Sequence, residues 1–151
     1  MNITIYTAPI FTEIRQKSHL EVQDIKDVEA RDNARAGVTK TEEINRCILE
    51  GMGQLERLCL RFLRETIVDE TDDGTAMPQS YTFDFNFAER RAANKAEPLV
   101  SVMHSFVVQH ALAQYYNTVN QVDMAGKHTA LAQQYGAQIT DMLYHKQPPR
   151  V

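Results

Sequence analysis

Only two of the 151 residues are cysteine, Cys47 and Cys59. So few thiols exclude a disulfide-built scaffold. Both fall in one expected helix, twelve residues and about 18 Å apart, too far for a bridge within it. They read as reduced thiols in a cytosolic protein. A secretory leader is missing: the opening MNITIYTAPIF has no basic stretch and no long apolar run. No membrane-spanning run is present either. The nearest candidate, residues 98–122, lacks Asp, Glu, Lys and Arg but holds Ser101, His104, Ser105, Gln109, His110, Gln114 and Asn117. Hydrocarbon does not tolerate polar side chains at that density. A large excess of charge of one sign is also lacking. Sixteen Lys and Arg against twenty Asp and Glu leave −4, which gives no general attraction to nucleic acid.

Catalytic signatures are absent in turn. There is no Gly-rich phosphate loop, no G-x-S-x-G and no Cys–His signature. Glu42-Glu43-x-x-Arg46 puts a cation where a helical pyrophosphohydrolase needs a third carboxylate for magnesium. Asp69-x-Thr71-x-Asp73-Gly74 begins like a calcium loop, but its twelfth position is Ser80 in place of a bidentate glutamate. It reads as a solvated acidic turn. The five histidines, His19, His104, His110, His128 and His145, lack the three- or four-residue spacing of a metal pair on one helix. They read as core or interface histidines satisfied by Ser or Gln. The expectation is therefore no enzyme, no cofactor and no metal.

What is present is a mainly α pattern in a single domain spanning 1–151, with a radius of gyration of about 15 Å if compact. About four helices form a bundle with one short β-strand or hairpin around 81–87, for which 2–7 is the candidate partner. Residues 1–9 read as an extended arm, with Ile3 and Ile5 alternating. Residues 10–35 read as a polar helix broken near Ser18–Gln23. The clearest helix starts at a capping box, Thr39 with Glu42, and runs to about 65. Its stripe is Ile44, Ile48, Met52, Leu55, Cys59 and Phe62. Gly51 and Gly53 interrupt it, each costing about 1 kcal/mol against Ala, and predict a close helix crossing or a kink. Residues 67–80 follow as an acidic loop.

Tyr81, Phe83, Phe85 and Phe87 then alternate with Thr82, Asp84 and Asn86, the period of a strand with one aromatic face. Such a strand needs a partner, either within the chain or on a neighbouring subunit. Arg90 and Arg91 follow it, and with the aromatic row they form the candidate interface. Asn86 and Glu89 are placed to cap the helix that comes next. Pro98 predicts a kink or restart near Ala96. Leu99, Val102, Met103, Phe106, Val107, His110 and Ala111 share one broad face of the uncharged helix to about Asn117. A helix without charge is covered on most sides, by its own fold or by neighbours. After a break at 117–123 comes a last helix with Leu131, Tyr135, Ile139, Met142 and Leu143 inward. The tail 146–151 ends the chain. Arg57, Arg61 and Arg64, spaced four and three apart, form a candidate nucleic-acid-facing stripe or a solvated one paired with the acidic loop.

The helix EPLVSVMHSFVVQHALAQYYNTV, the short break, the helix DMAGKHTALAQQYGAQITDML and the basic, proline-containing tail resemble the small helical head–tail connector, or neck, proteins of tailed bacteriophages. The resemblance covers roughly 87–151. It implies a non-enzymatic virion protein, made in a bacterial cytoplasm, that forms a homo-oligomeric ring against portal or tail components. DNA contact is a secondary expectation, and membrane contact is not expected. The competing reading is a small cytosolic helical interaction or regulatory domain that binds a partner protein or DNA.

Overall fold

A run of 25 residues without a formal charge forms the centre of the structure. A computed structural model describes residues 1–35, 40–69, 77–86 and 96–144. In it residues 98–118 of the uncharged run lie in helix α4, Ala96–Thr118. Leu99, Met103, Phe106, Val107 and Ala111 are buried as expected, and Val108, Leu112, Tyr115 and Tyr116 are buried too. Their positions pass right round the helix, so α4 needs no charged outer face: its own fold covers it. Pro98 sits in the first turn, where its missing N–H has no helical partner to lose.

α4 ends on Asn120, whose φ is 62°, a left-handed conformation that asparagine tolerates. Gln121 N–H donates to Tyr116 C=O at 2.8 Å and Asn120 N–H to Asn117 C=O at 3.3 Å, the paired bonds of a Schellman cap. The chain reverses there into α5, Val122–Leu143, which packs along α4. Half of the buried line of α5 is short: Ala125, Ala132 and Gly136, with His128, Ile139 and Leu143 between and after them. Leu131, Tyr135 and Met142, expected inside, are only half-buried. A Cβ at Gly136 would stand 3.3 Å from the Phe106 ring, so small residues let the two helices approach.

α3, Thr41–Cys59, lays Ile44, Cys47, Ile48, Gly51, Met52, Leu55 and Cys59 against the bundle. Gly51 is the crossing point with α4. A Cβ there would lie 3.2 Å from Val107 Cγ1 and 3.3 Å from Val107 O, while Gly53 meets nothing within 4 Å. Thr39, the expected cap, lies outside the described residues, and Lys40 at the helix entrance makes no side-chain cap.

Two boundaries differ from expectation. The N-terminal arm is extended only over β1, Asn2–Tyr6; α1 begins at Thr7 and takes Pro9 into its first turn. α1 runs to Glu21, a 3₁₀ turn covers Val22–Asp24, and α2, Val28–Ala34, starts on an Asp27 cap. The helix expected to about 65 stops at Cys59. Leu60–Phe62 form a 3₁₀ turn and Leu63–Asp69 form strand β2. Thr66, Ile67 and Val68 are β-branched in succession, a composition that favours a pleated strand over a helix.

β3, Ser80–Phe85, lies at the centre of a three-stranded antiparallel sheet ordered β1-β3-β2. β1 is its expected partner, with Ile3 opposite Phe83 and Ile5 opposite Tyr81. β2 is its unexpected one, with Thr66 opposite Phe83 and Val68 opposite Tyr81. Ile3, Ile5, Phe83 and Phe85 join the core formed by α1, α3, α4 and α5. The protein is mainly α with a short β element.

Candidate subunit interface on the sheet

The aromatic row divides. Phe83 and Phe85 are 0% and 1% exposed and point into the chain's own core, with Tyr81 partly buried beside them. These two rings face inward because Ile3, Ile5 and the helices supply apolar surface within the same chain. They are not available to a neighbour, which corrects their place in the candidate interface. Phe87, Arg90 and Arg91 lie outside the described residues. The opposite face of β3 is polar: Thr82 Oγ1 and Thr4 Oγ1 are 3.0 Å apart, and Asp84 stands opposite both Asn2 and Glu65.

The apolar side chains that the sheet leaves exposed sit on its flanking strands. On β2, Ile67 is 49% and Val68 42% exposed; on β1, Tyr6 is 55% exposed. Among the described residues, neither β1 nor β2 pairs with a strand on its outer side. Such edges carry unsatisfied backbone donors and acceptors beside apolar side chains, a template for another strand. Sequence reasoning missed Ile67 and Val68. The three β-branched residues at 66–68 were the available signal, masked by the arginine spacing before them and the acidic run after them.

The three arginines do not form one helical stripe. Arg57 is in the last turn of α3, Arg61 in the 3₁₀ turn and Arg64 in β2. Arg64 occupies the extra position of a bulge between Leu63 and Glu65, where its guanidinium donates to Asn86 Oδ1 at 3.0 and 3.2 Å. Arg61 hydrogen-bonds the Tyr144 hydroxyl and stands 5.7 Å from that ring's centroid. Phe62 packs edge-on against Tyr144 at 4.9 Å. Two of the three cations are thus engaged in tying β2 and its approach to the rest of the chain.

Burial pushes the Cys47 thiol up to about 11 and Cys59 up to about 12, so neither is a thiolate nucleophile at neutral pH. Both are free and buried. Burial also lowers the His110 pKa, favouring the neutral ring, with Glu50 opposing. His110 lines a cleft of about 270 Å³ with Gln54, Gln114, Thr129 and Gln133, none of them charged. No group of three or more His, Cys, Asp or Glu among the described residues is placed to hold a metal ion. Asp69 of the calcium-like run is in β2; Thr71, Asp73 and Gly74 lie outside the described residues. No described helix is long and apolar enough to cross a membrane. No protein-family model, curated protein or solved structure matches the chain.

Proposed function

We propose that this chain is a non-enzymatic structural subunit of a phage-like particle, a neck or head–tail connector protein that forms a ring through subunit–subunit contacts. Portal or tail components are its further partners, and the virion, assembled in a bacterial cytoplasm, is its place. The observation that carries the reading is the sheet with apolar side chains exposed on its flanking strands. β1 and β2 both run antiparallel to β3, so they are parallel to each other on opposite sides of it. Contacts that join one edge to a different edge of the next copy are heterologous, and they close into a ring when the rotation permits. The sequences of α4 and α5 support the reading through the resemblance of residues 87–151 to connector proteins.

The alternative of a DNA-binding regulatory domain gains nothing from Arg61 and Arg64, which are engaged within the chain. Mass measurement of the purified full chain tests the proposal. A closed oligomer is expected; a monomer or simple dimer at every concentration would favour the interaction-domain alternative.

A further inference from the structure

α1 has a thin apolar attachment. It buries Thr7, Ile10, Ile14 and Ser18, only two aliphatic side chains in its 15 residues, while Leu20 is exposed. Its polar attachments are unusual by comparison. Glu13 Oε2 lies 2.6 Å from His104 Nε2 on α4, and Glu21 Oε2 lies 2.7 Å from His128 Nε2 on α5. His128 is 2% exposed, its ring stacks on Tyr116 with centroids 5.4 Å apart, and its Nδ1 is 2.5 Å from Gln109 Oε1.

With oxygens at both nitrogens, a doubly protonated ring satisfies both contacts; with the Gln109 amide turned, the Nε2–H tautomer does so. In either form Nε2–H donates to Glu21, and protonation of that carboxyl removes the anionic acceptor and weakens the contact.

We propose that the two glutamate–histidine contacts form a pH-released latch: protonation of Glu13 and Glu21 frees α1 from α4 and α5 while the α3–α4–α5 bundle stays folded. His104 on α4 and Lys17 on α1 face Glu13. His128 and Lys127 on α5 and Tyr116 on α4 face Glu21. Burial raises both carboxyl pKa values, yet the histidine hydrogen bonds and the nearby lysines outweigh it and leave both below their ordinary 4.5.

A carboxyl lowered on folding stabilises fully above its unfolded pKa, and that contribution is lost as pH falls through the folded value. The latch therefore holds at neutral pH and opens in acid, below the ordinary glutamate range. Because β1 runs into α1 without a loop, release of α1 also loosens one edge of the sheet. The latch does not depend on the virion reading.

Hydrogen exchange by mass spectrometry on the full chain tests it, with labelling carried out at pH 7 and at about 3.5 and each rate divided by the intrinsic exchange rate at that pH. Peptides from 7–21 are expected to lose protection by about tenfold or more in acid while peptides from 99–116 retain theirs. In the Glu13→Gln/Glu21→Gln variant, 7–21 is expected to be poorly protected already at pH 7 and to change little in acid. Simultaneous loss of protection in 7–21 and 99–116 would overturn the proposal. So would wild-type protection of 7–21 in the double variant at pH 7. If that variant does not fold, the wild-type profile decides.

Discussion

At the scale of single residues, the opposite faces of β3 make the sharpest contrast. Phe85 is in the core and Asp84 faces outward across from Glu65. Phe85→Ala should destabilise the isolated subunit by about 3–5 kcal/mol, read as a lower denaturant midpoint or Tm. Asp84→Ala removes one of two facing carboxylates and should stay within about 0.5 kcal/mol of wild type. Equal effects of the two would contradict the placement of the strand. The glycines of α3 separate in the same way. Gly51→Leu forces a side chain against Val107 and should cost about 1–3 kcal/mol. Gly53→Ala meets open space and should stabilise by up to about 1 kcal/mol. Chemical denaturation of both variants checks the pair; a stabilised Gly51→Leu would mean that α3 does not cross α4 there. Cys47 and Cys59 should resist a thiol reagent in the native state and react at the unfolding rate or slower, as their burial requires.

At the scale of elements, the sequence was most readable where one pattern stood unopposed. The uncharged residues 98–122 marked the buried helix, and the polar break after it marked the turn to α5. Alternating aromatics marked β3, and Ile3 with Ile5 marked its partner. β2 was hidden because Arg57, Arg61 and Arg64 have helical spacing although only Arg57 is in a helix. The acidic residues that follow then suggested a loop. Pairing with β3, a tertiary effect, overrode both local signals. The latch residues were unreadable for another reason: Glu13 and His104 are 91 positions apart, and Glu21 and His128 are 107 apart. No local periodicity joins them. If β2 is the docking edge, Val68→Lys should leave the subunit's Tm nearly unchanged and abolish oligomerisation, measured by light scattering after chromatography. Intact oligomers would place the interface elsewhere.

At the scale of the whole molecule, the core and the surface have separate tasks. α4, wrapped by α1, α3, α5 and the inner face of the sheet, supplies the centre of the core. Reactive groups within it are silenced by burial, and the arginines near β2 are tied to neighbours in the same chain. The sheet leaves Ile67 and Val68 of β2 and Tyr6 of β1 exposed on its two parallel edge strands, the surface on which the proposed contact between copies rests. The central claim is therefore one of assembly, and native mass spectrometry of the untagged full chain tests it most directly. The account predicts one dominant closed species at an integer multiple of the chain mass, with its copy number constant as concentration rises. A monomer that persists at all concentrations, or a ladder that grows without limit, would contradict it.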